Sequence, residues 1–280
     1  MTLINFILNI AGLLLWLNWR TVQFEPSVRN PAAWLAGTLR RAEAGSLRRW
    51  HFLLALALLL GVRALFYWQI GQAVHWTPSL HLGPITIFFR GHLLSRLLLF
   101  SALSFLLALG VFYQCLLLLS LVNNTASETD PFQKLIRAQL GFCDALPWPV
   151  KLALPAIIAS LGWCLAGSLL SSLDIIPPVL SRVHRLEQAI VLGLGSYLVW
   201  KLPFGIALAL YVLDSYIYLG KQAFWSFVGL TGRRLVMPLR WLPLRAGRFD
   251  LVPFLELALV FFGAGFADGG LTALYARLPL

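Results

Sequence analysis

Three ionisable side chains interrupt otherwise apolar stretches in the C-terminal part of the chain: Lys201, Asp214 and Glu256. Charge inside hydrocarbon is costly, so such groups ordinarily line an ion or proton path, pair with one another, or snorkel to the surface. Asp214 and Glu256 are expected at similar depth, where two carboxylates would suit a cation or a proton. Pairing of the carboxylates with loop arginines, and snorkelling for Lys201, are the plainer readings. Arg63 and Arg96 are expected to reach the outer interface, where Asp174 and Glu187 could meet them. His75, His81, His92 and His184 form a second group, all expected on the outer side. Their spacing matches no zinc motif, and haem would need ligands from facing helices. Nothing reads as a nucleophile elbow, a P-loop or a zincin helix. No catalytic residue, metal or cofactor is assigned on this reading, and the chain is taken as non-enzymatic.

A third group lies in the run TGRRLVMPLRWLPLRAGRFDLVPFLELALV, residues 231–260. Prolines between its arginines favour short turns over a long helix. Arginine can hold its guanidinium at phosphate level while its stem covers acyl chains, and Trp225 and Trp241 suit the headgroup zone. Anionic headgroups are thus the first partner expected, and other membrane proteins the second. No nucleic-acid recognition module is visible, so nucleic acid is disfavoured. Asp250 stands where an N-cap would, and Pro253 fits the unpaired first turn of the helix that follows. Asp250 could equally pair with Arg240, Arg245 or Arg248, since a carboxylate has several acceptor sites.

The elements that position these residues follow from composition. The chain has 280 residues, of which 59% are hydrophobic and only 12% charged, and its mean hydropathy is +0.80. Soluble domains carry about 25% charged residues. The apolar runs are long enough for bilayers, which need roughly 20 residues each. The expected fold is all-α, a polytopic transmembrane bundle of about six spans near 3–19, 51–70, 92–122, 151–173, 188–219 and 251–268. The first run has no basic n-region and no small-x-small cleavage site, and is read as an uncleaved span. The spans 92–122 and 188–219 would each be about 45 Å long, so they must tilt, project or break, with Pro203 marking a break or kink in the second. Cys115, Cys143 and Cys164 have no metal spacing and read as inert apolar residues.

The net charge of +11 is distributed unevenly. Loops 20–50, 123–151 and 220–250 hold fifteen of the 22 Lys and Arg residues. Because these are alternate loops, the positive-inside rule places them in the cytoplasm and both termini outside. Sliding the chain by 98 residues brings Tyr113 onto Tyr211 and Pro155 onto Pro253, and sets LPWPVKLALP (146–155) against LPLRAGRFDLVP (242–253). The expected unit is a long helix, a loop containing Leu-Pro, then a helix opening with a second Pro. Two such units run in tandem and in parallel. GLGSY (193–197) lies inside a span and is read as helix packing.

The segment 231–260 resembles the YggT (YlmG) family of integral membrane proteins. The matching positions are Thr231, Pro238, Leu239, Arg240, Leu242, Pro243, Gly247, Asp250 and Pro253, with Arg245 and Arg248 in the intervening link. The first copy keeps Asp130-Pro131-Phe132, Leu146-Pro147 and Leu154-Pro155 but lacks the arginine-rich link. The resemblance divides the chain into an N-terminal hairpin (1–90), a degenerate first repeat (91–175) and a second repeat (182–275). It implies a small multi-pass protein of the bacterial inner membrane or the plastid. Relatives are linked with cell division, envelope organisation, osmotic tolerance, plastid nucleoid distribution and cytochrome b6 haem maturation. The family has no established catalytic residues. The leading expectation is a protein that organises or assembles a membrane complex. A channel or transporter using Lys201, Asp214 and Glu256 is the alternative, and a haem-maturation or respiratory accessory subunit a third.

Overall fold

The computed structural model describes residues 2–21, 49–74, 77–124, 130–177, 181–217, 222–242, 245–246 and 249–278. The chain is all-α, and among the described residues six helical stretches are long and apolar enough to cross a membrane. These are α1 (Thr2–Thr21), α2 (Arg49–Val74), α3 (Leu94–Val122), α5 (Trp148–Ser172), the joined pair α6 (Arg182–Gly195) and α7 (Lys201–Tyr216), and α9 (Val252–Arg277). Their outward faces are apolar, as lipid requires: Leu165, Phe262 and Phe266 are all more than 70% exposed. Most of loop 20–50, with Arg29, Arg40, Arg41 and Arg48, lies outside the described residues.

Two compact units divide the chain, and the division falls inside α3 rather than at residue 90. The first unit contains residues 1–78 and 88–109. Its core is Leu56, Ala64, Tyr67, Phe89, Leu97, Phe100 and Phe105. Gly12 lets α1 come close to its neighbours, since a Cβ there would lie 2.8 Å from the Phe105 ring.

The second unit holds residues 79–87 and 110–280. Hydropathy alone gave no sign of its two short amphipathic helices, α4 (Pro131–Leu140) and α8 (Ala223–Val236). The loops 123–151 and 220–250 therefore contain helix, and Arg233 and Arg234 close α8 instead of lying in turns. Helix α4 begins where Asp130 accepts the Phe132 N–H at 2.9 Å, with Pro131 in the first turn. Its apolar face, Ile136 and Leu140, packs with Leu116, Leu117 and Phe227. A second cluster joins Leu208, Leu235, Val236 and Val252. A β-hairpin, β1 (Ser79–Leu82) with β2 (Ile85–Phe88), also escaped the hydropathy reading. Its turn uses Gly83 at φ +64°, and Pro84 stands against Gly195.

The long C-terminal-half span breaks as a short 3-10 turn at Ser196–Trp200, just ahead of Pro203. Pro203 cannot donate to the carbonyl of Val199 and its ring crowds that residue, which explains the tightened turn. Gly193 packs α6 onto α5 so closely that a Cβ would collide with Ser160 Oγ and lie 2.8 Å from the Ala156 carbonyl. Helix packing is thus the role of GLGSY.

Both repeats contain a membrane helix, an amphipathic helix, a 3-10 turn (Gly141–Ala145 or Met237–Leu239) and a second membrane helix. They differ in one respect that corrects the proline alignment. Helix α5 opens at Trp148 with Pro149 in its first turn, and Pro155 lies inside it. In the second repeat, the strands β3 (Arg245–Ala246) and β4 (Phe249–Asp250) form a tight antiparallel hairpin instead, and α9 opens at Pro253. The first copy spends this stretch as helix and the second spends it as a hairpin.

Candidate functional site

The motif residues of the second repeat converge where α7, α8 and α9 meet the hairpin. Within four consecutive residues α8 divides its duties. Thr231 is buried; its hydroxyl donates to the Phe227 carbonyl and accepts from Asn123 Nδ2, both at 2.8 Å. Gly232 lets the backbone of α8 meet Tyr211, whose Cβ and Cγ would collide with any added Cβ. Arg234 donates to the Val122 carbonyl at 3.2 Å, satisfying an orphan acceptor at the end of α3. These three dock the helix, and Arg233 is left facing out.

Pro238, without an N–H, sits in the 3-10 turn that ends α8. Arg240 follows it and is exposed. Asp250 accepts the Val252 N–H at 3.1 Å, and its own N–H donates to Tyr216 Oη at 3.1 Å. It caps α9 from one residue before the formal N-cap, Leu251. Among the described residues it forms no ion pair with Arg240. Pro253 is buried in the first turn. Pro243, Gly247 and Arg248, and the side chain of Arg245, lie outside the described residues.

Tyr211, Arg233, Arg240 and Asp250 line a pocket of about 360 Å³ together with Val236, Leu242 and Val252. Neither guanidinium has a hydrogen-bond or ion-pair partner among the described residues. Among the described residues the lining is thus mainly cationic and open. Sequence reasoning named Arg240 and Asp250 but missed Arg233 and Tyr211. Their signals were present: Tyr211 anchors the repeat, and Arg233 lies next to a buried Thr-Gly pair.

The first repeat presents the same kinds of charge in closed form. Asp144 accepts from Lys151 at 3.4 Å and pairs with Arg137 Nε at 3.4 Å. The Ser120 hydroxyl donates to the same carboxylate and accepts from Lys151 at 3.1 Å. Lys151 is buried because α5 extends back over the stretch that is a hairpin in the second repeat. The extra helical turns close the first copy, and their absence opens the second.

The three intramembrane charges do not come together. Glu256 is 8% exposed and its Oε2 has no partner among the described residues. Gly205 packs against Leu257 and Phe261, which sets α7 antiparallel to α9 and brings Glu256 level with the middle of α7. Asp214 lies six or more residues further along α7, roughly 9 Å away in depth at 1.5 Å per residue. Its carboxylate rests against Gly229 of α8 instead. The equal depth expected for Asp214 and Glu256 is not what forms. Lys201 begins α7, half-buried and without an ion pair among the described residues.

Arg63 is a second correction. It is 2% exposed and stays in the interior of the first unit. Its guanidinium donates to Asn9 Oδ1 at 2.7 Å and to Asn5 Oδ1, and lies 5.6 Å from the Tyr67 ring centroid and 5.9 Å from that of Phe100. Both asparagines also donate to Ser104 Oγ at 3.2 Å. The legible signal was polar residues at i, i+4 on two helices, Asn5/Asn9 and Arg63/Tyr67. The histidines scatter into local contacts. His184 pairs with Glu187 at 3.0 Å and His81 meets Thr86 Oγ1 at 2.8 Å, while the His92 carbonyl accepts from Trp68. His75 lies outside the described residues. Among the described residues no three His, Cys, Asp or Glu side chains converge.

No protein-family model, curated protein or solved structure matches the chain.

Proposed function

We propose that this multi-pass protein organises or assembles a protein complex in its membrane without catalysing a reaction, a role of the YggT kind. One observation carries the reading: of the two segments read as repeats, the first neutralises its own charges and the second leaves Arg233, Arg240 and Asp250 lining an open pocket. Two guanidiniums without a partner among the described residues are what a docking surface would offer and what purely structural packing would not need. The arginines and lysines of loops 123–151 and 220–250 support a cytoplasmic position for this end, in a bacterial inner membrane. Exposed Met237 and Trp241 beside the pocket suit a partner that buries aromatic and flexible apolar side chains.

The test is the native size of the protein extracted from its own membranes in mild detergent. The wild-type chain should migrate in a complex larger than the protein–detergent particle of the purified chain. Arg233→Ala with Arg240→Ala should collapse it to that particle, and Arg277→Ala should not. A wild-type chain that migrates alone would sink the reading.

A second reading, proton or cation passage, is favoured by the burial of Glu256 with one oxygen lacking a partner among the described residues. It predicts altered flux for Glu256→Gln in reconstituted vesicles, and unchanged flux would remove it.

A further inference from the structure

We propose that the pocket between α7, α8 and the β3–β4 hairpin binds a phosphate group, that of a phospholipid headgroup at the membrane surface. Arg233 and Arg240 hold the phosphate, and Asp250 accepts from a hydroxyl or ammonium next to it. The proposal shares this pocket with the proposed function, but its test reads retained lipid rather than native size, so the two fail separately. Five observations carry it.

The two guanidiniums are exposed, without partners among the described residues, and line one cavity. Two like charges around one space repel, and a shared anion relieves that repulsion. Phosphate suits them best among anions, because the planar fork of arginine matches its oxygens two at a time. The cavity, about 360 Å³, is at the small end for ligand pockets, which suits a headgroup. It lies at the α7 C-terminus and the α9 N-terminus, the depth at which membrane helices meet headgroups.

The acidic member is informative. Asp250 uses Oδ1 to cap the Val252 N–H, which fixes the carboxylate at the pocket wall. A bare anion would be repelled by it. A phosphodiester with a donor a few bonds away satisfies both signs at once, so phosphatidylglycerol and phosphatidylethanolamine fit better than phosphatidylcholine. Trp241 (77% exposed), which lies in the chain between the lining residues Arg240 and Leu242, and Leu251, between Asp250 and Val252, offer apolar surface to the glycerol and acyl region of the same molecule.

The experiment uses the full chain in nanodiscs of equal phosphatidylglycerol, phosphatidylethanolamine and phosphatidylcholine, released into the gas phase, with retained lipids counted by native mass spectrometry. The wild type should retain one phosphatidylglycerol or phosphatidylethanolamine. Arg233→Ala with Arg240→Ala should lower that occupancy at least tenfold, and Arg277→Ala should leave it unchanged. Arg233→Lys with Arg240→Lys keeps the charge, loses the fork and should fall between; it also replaces the alanine pair if that pair does not fold. A parallel arm adds inorganic phosphate to delipidated protein and follows thermal stability. Stabilisation there, lost in the arginine variants and unaccompanied by retained lipid, assigns the site to free phosphate. Equal retention by wild type and both double variants, or retention of phosphatidylcholine as readily as the other two, overturns the proposal.

Discussion

Removing Asn9 should cost the protein more than removing the arginine that Asn9 holds. Arg63 is charged and 2% exposed, and among the described residues its side chain meets only neutral groups and its Nε has no hydrogen-bond partner. Asn9→Leu keeps the side-chain shape but deletes the 2.7 Å charge-assisted bond, and with it the Asn9 bond to Ser104. A bond to a charged group contributes about 1.5–3 kcal/mol and a neutral one between membrane helices about 0.6, so the loss should be roughly 2–4 kcal/mol. Arg63→Met behaves differently. Asn5 Oδ1 keeps Tyr67 Oη at 3.3 Å and Ser104 Oγ at 3.4 Å, so only Asn9 Oδ1 is orphaned. That orphan costs about 1–3 kcal/mol, while removal of a desolvated guanidinium returns an energy of similar size. The net change should lie within about 1 kcal/mol of wild type. With both substitutions the orphan disappears, and the pair should be coupled by about 2 kcal/mol. Reversible unfolding of the full chain in micelles, followed through the four corners of this cycle, measures all of these quantities. Additivity within about 0.5 kcal/mol, or an Arg63→Met loss as large as that of Asn9→Leu, would refute the reasoning.

Other substitutions test the second unit. Gly232→Val drives a side chain into the root of Tyr211, which cannot move aside, and should lower stability by about 1–3 kcal/mol. Gly263→Ala meets nothing within 4 Å and should be neutral or stabilise by up to about 1 kcal/mol, so in thermal melts only the Gly232 variant should fall below wild type. Asp144→Asn strands the buried Lys151 and should cost about 3–5 kcal/mol, whereas Lys151→Met should cost clearly less, by denaturant titration. An Asp130→Ala change removes the α4 cap and should cost about 1 kcal/mol, read as faster amide exchange across 132–136.

Much of this architecture was legible in the sequence, for identifiable reasons. Apolar runs twenty residues long have few alternatives to membrane helices, and α1, α3 and α5 begin or end within about three residues of the hydropathy boundaries. The last helix was underestimated. It runs on through Asp268, Gly269 and Gly270 to Arg277, because backbone hydrogen bonding carries a helix past the point where hydropathy fails. Short helices with one polar and one apolar face never build a long apolar run, and α4 and α8 were hidden for that reason. The Asp130-Pro131 cap was the available clue. Asp250 and Pro253 could be read correctly because capping is local. Arg63 could not, because its partners Asn5 and Asn9 lie more than fifty residues away and asparagine is rarely read as the counterpart of a charge. The open pocket depended on something subtler still: whether one stretch continues as helix, as at Trp148–Leu154, or folds back as a hairpin, as at 245–250.

The central claim is that the second repeat is the working copy and the first is closed. Phe142 in the first repeat and Trp241 in the second form a matched pair of probes. Each is an aromatic residue in or directly after the turn that follows an amphipathic helix, 80% and 77% exposed. A photo-crosslinking amino acid at each position, irradiated in native membranes, measures the claim directly. A discrete protein adduct from position 241, lost with Arg233→Ala and Arg240→Ala, and none from position 142, is the predicted result. Equal adducts from both positions, or an adduct from 142 alone, would contradict it.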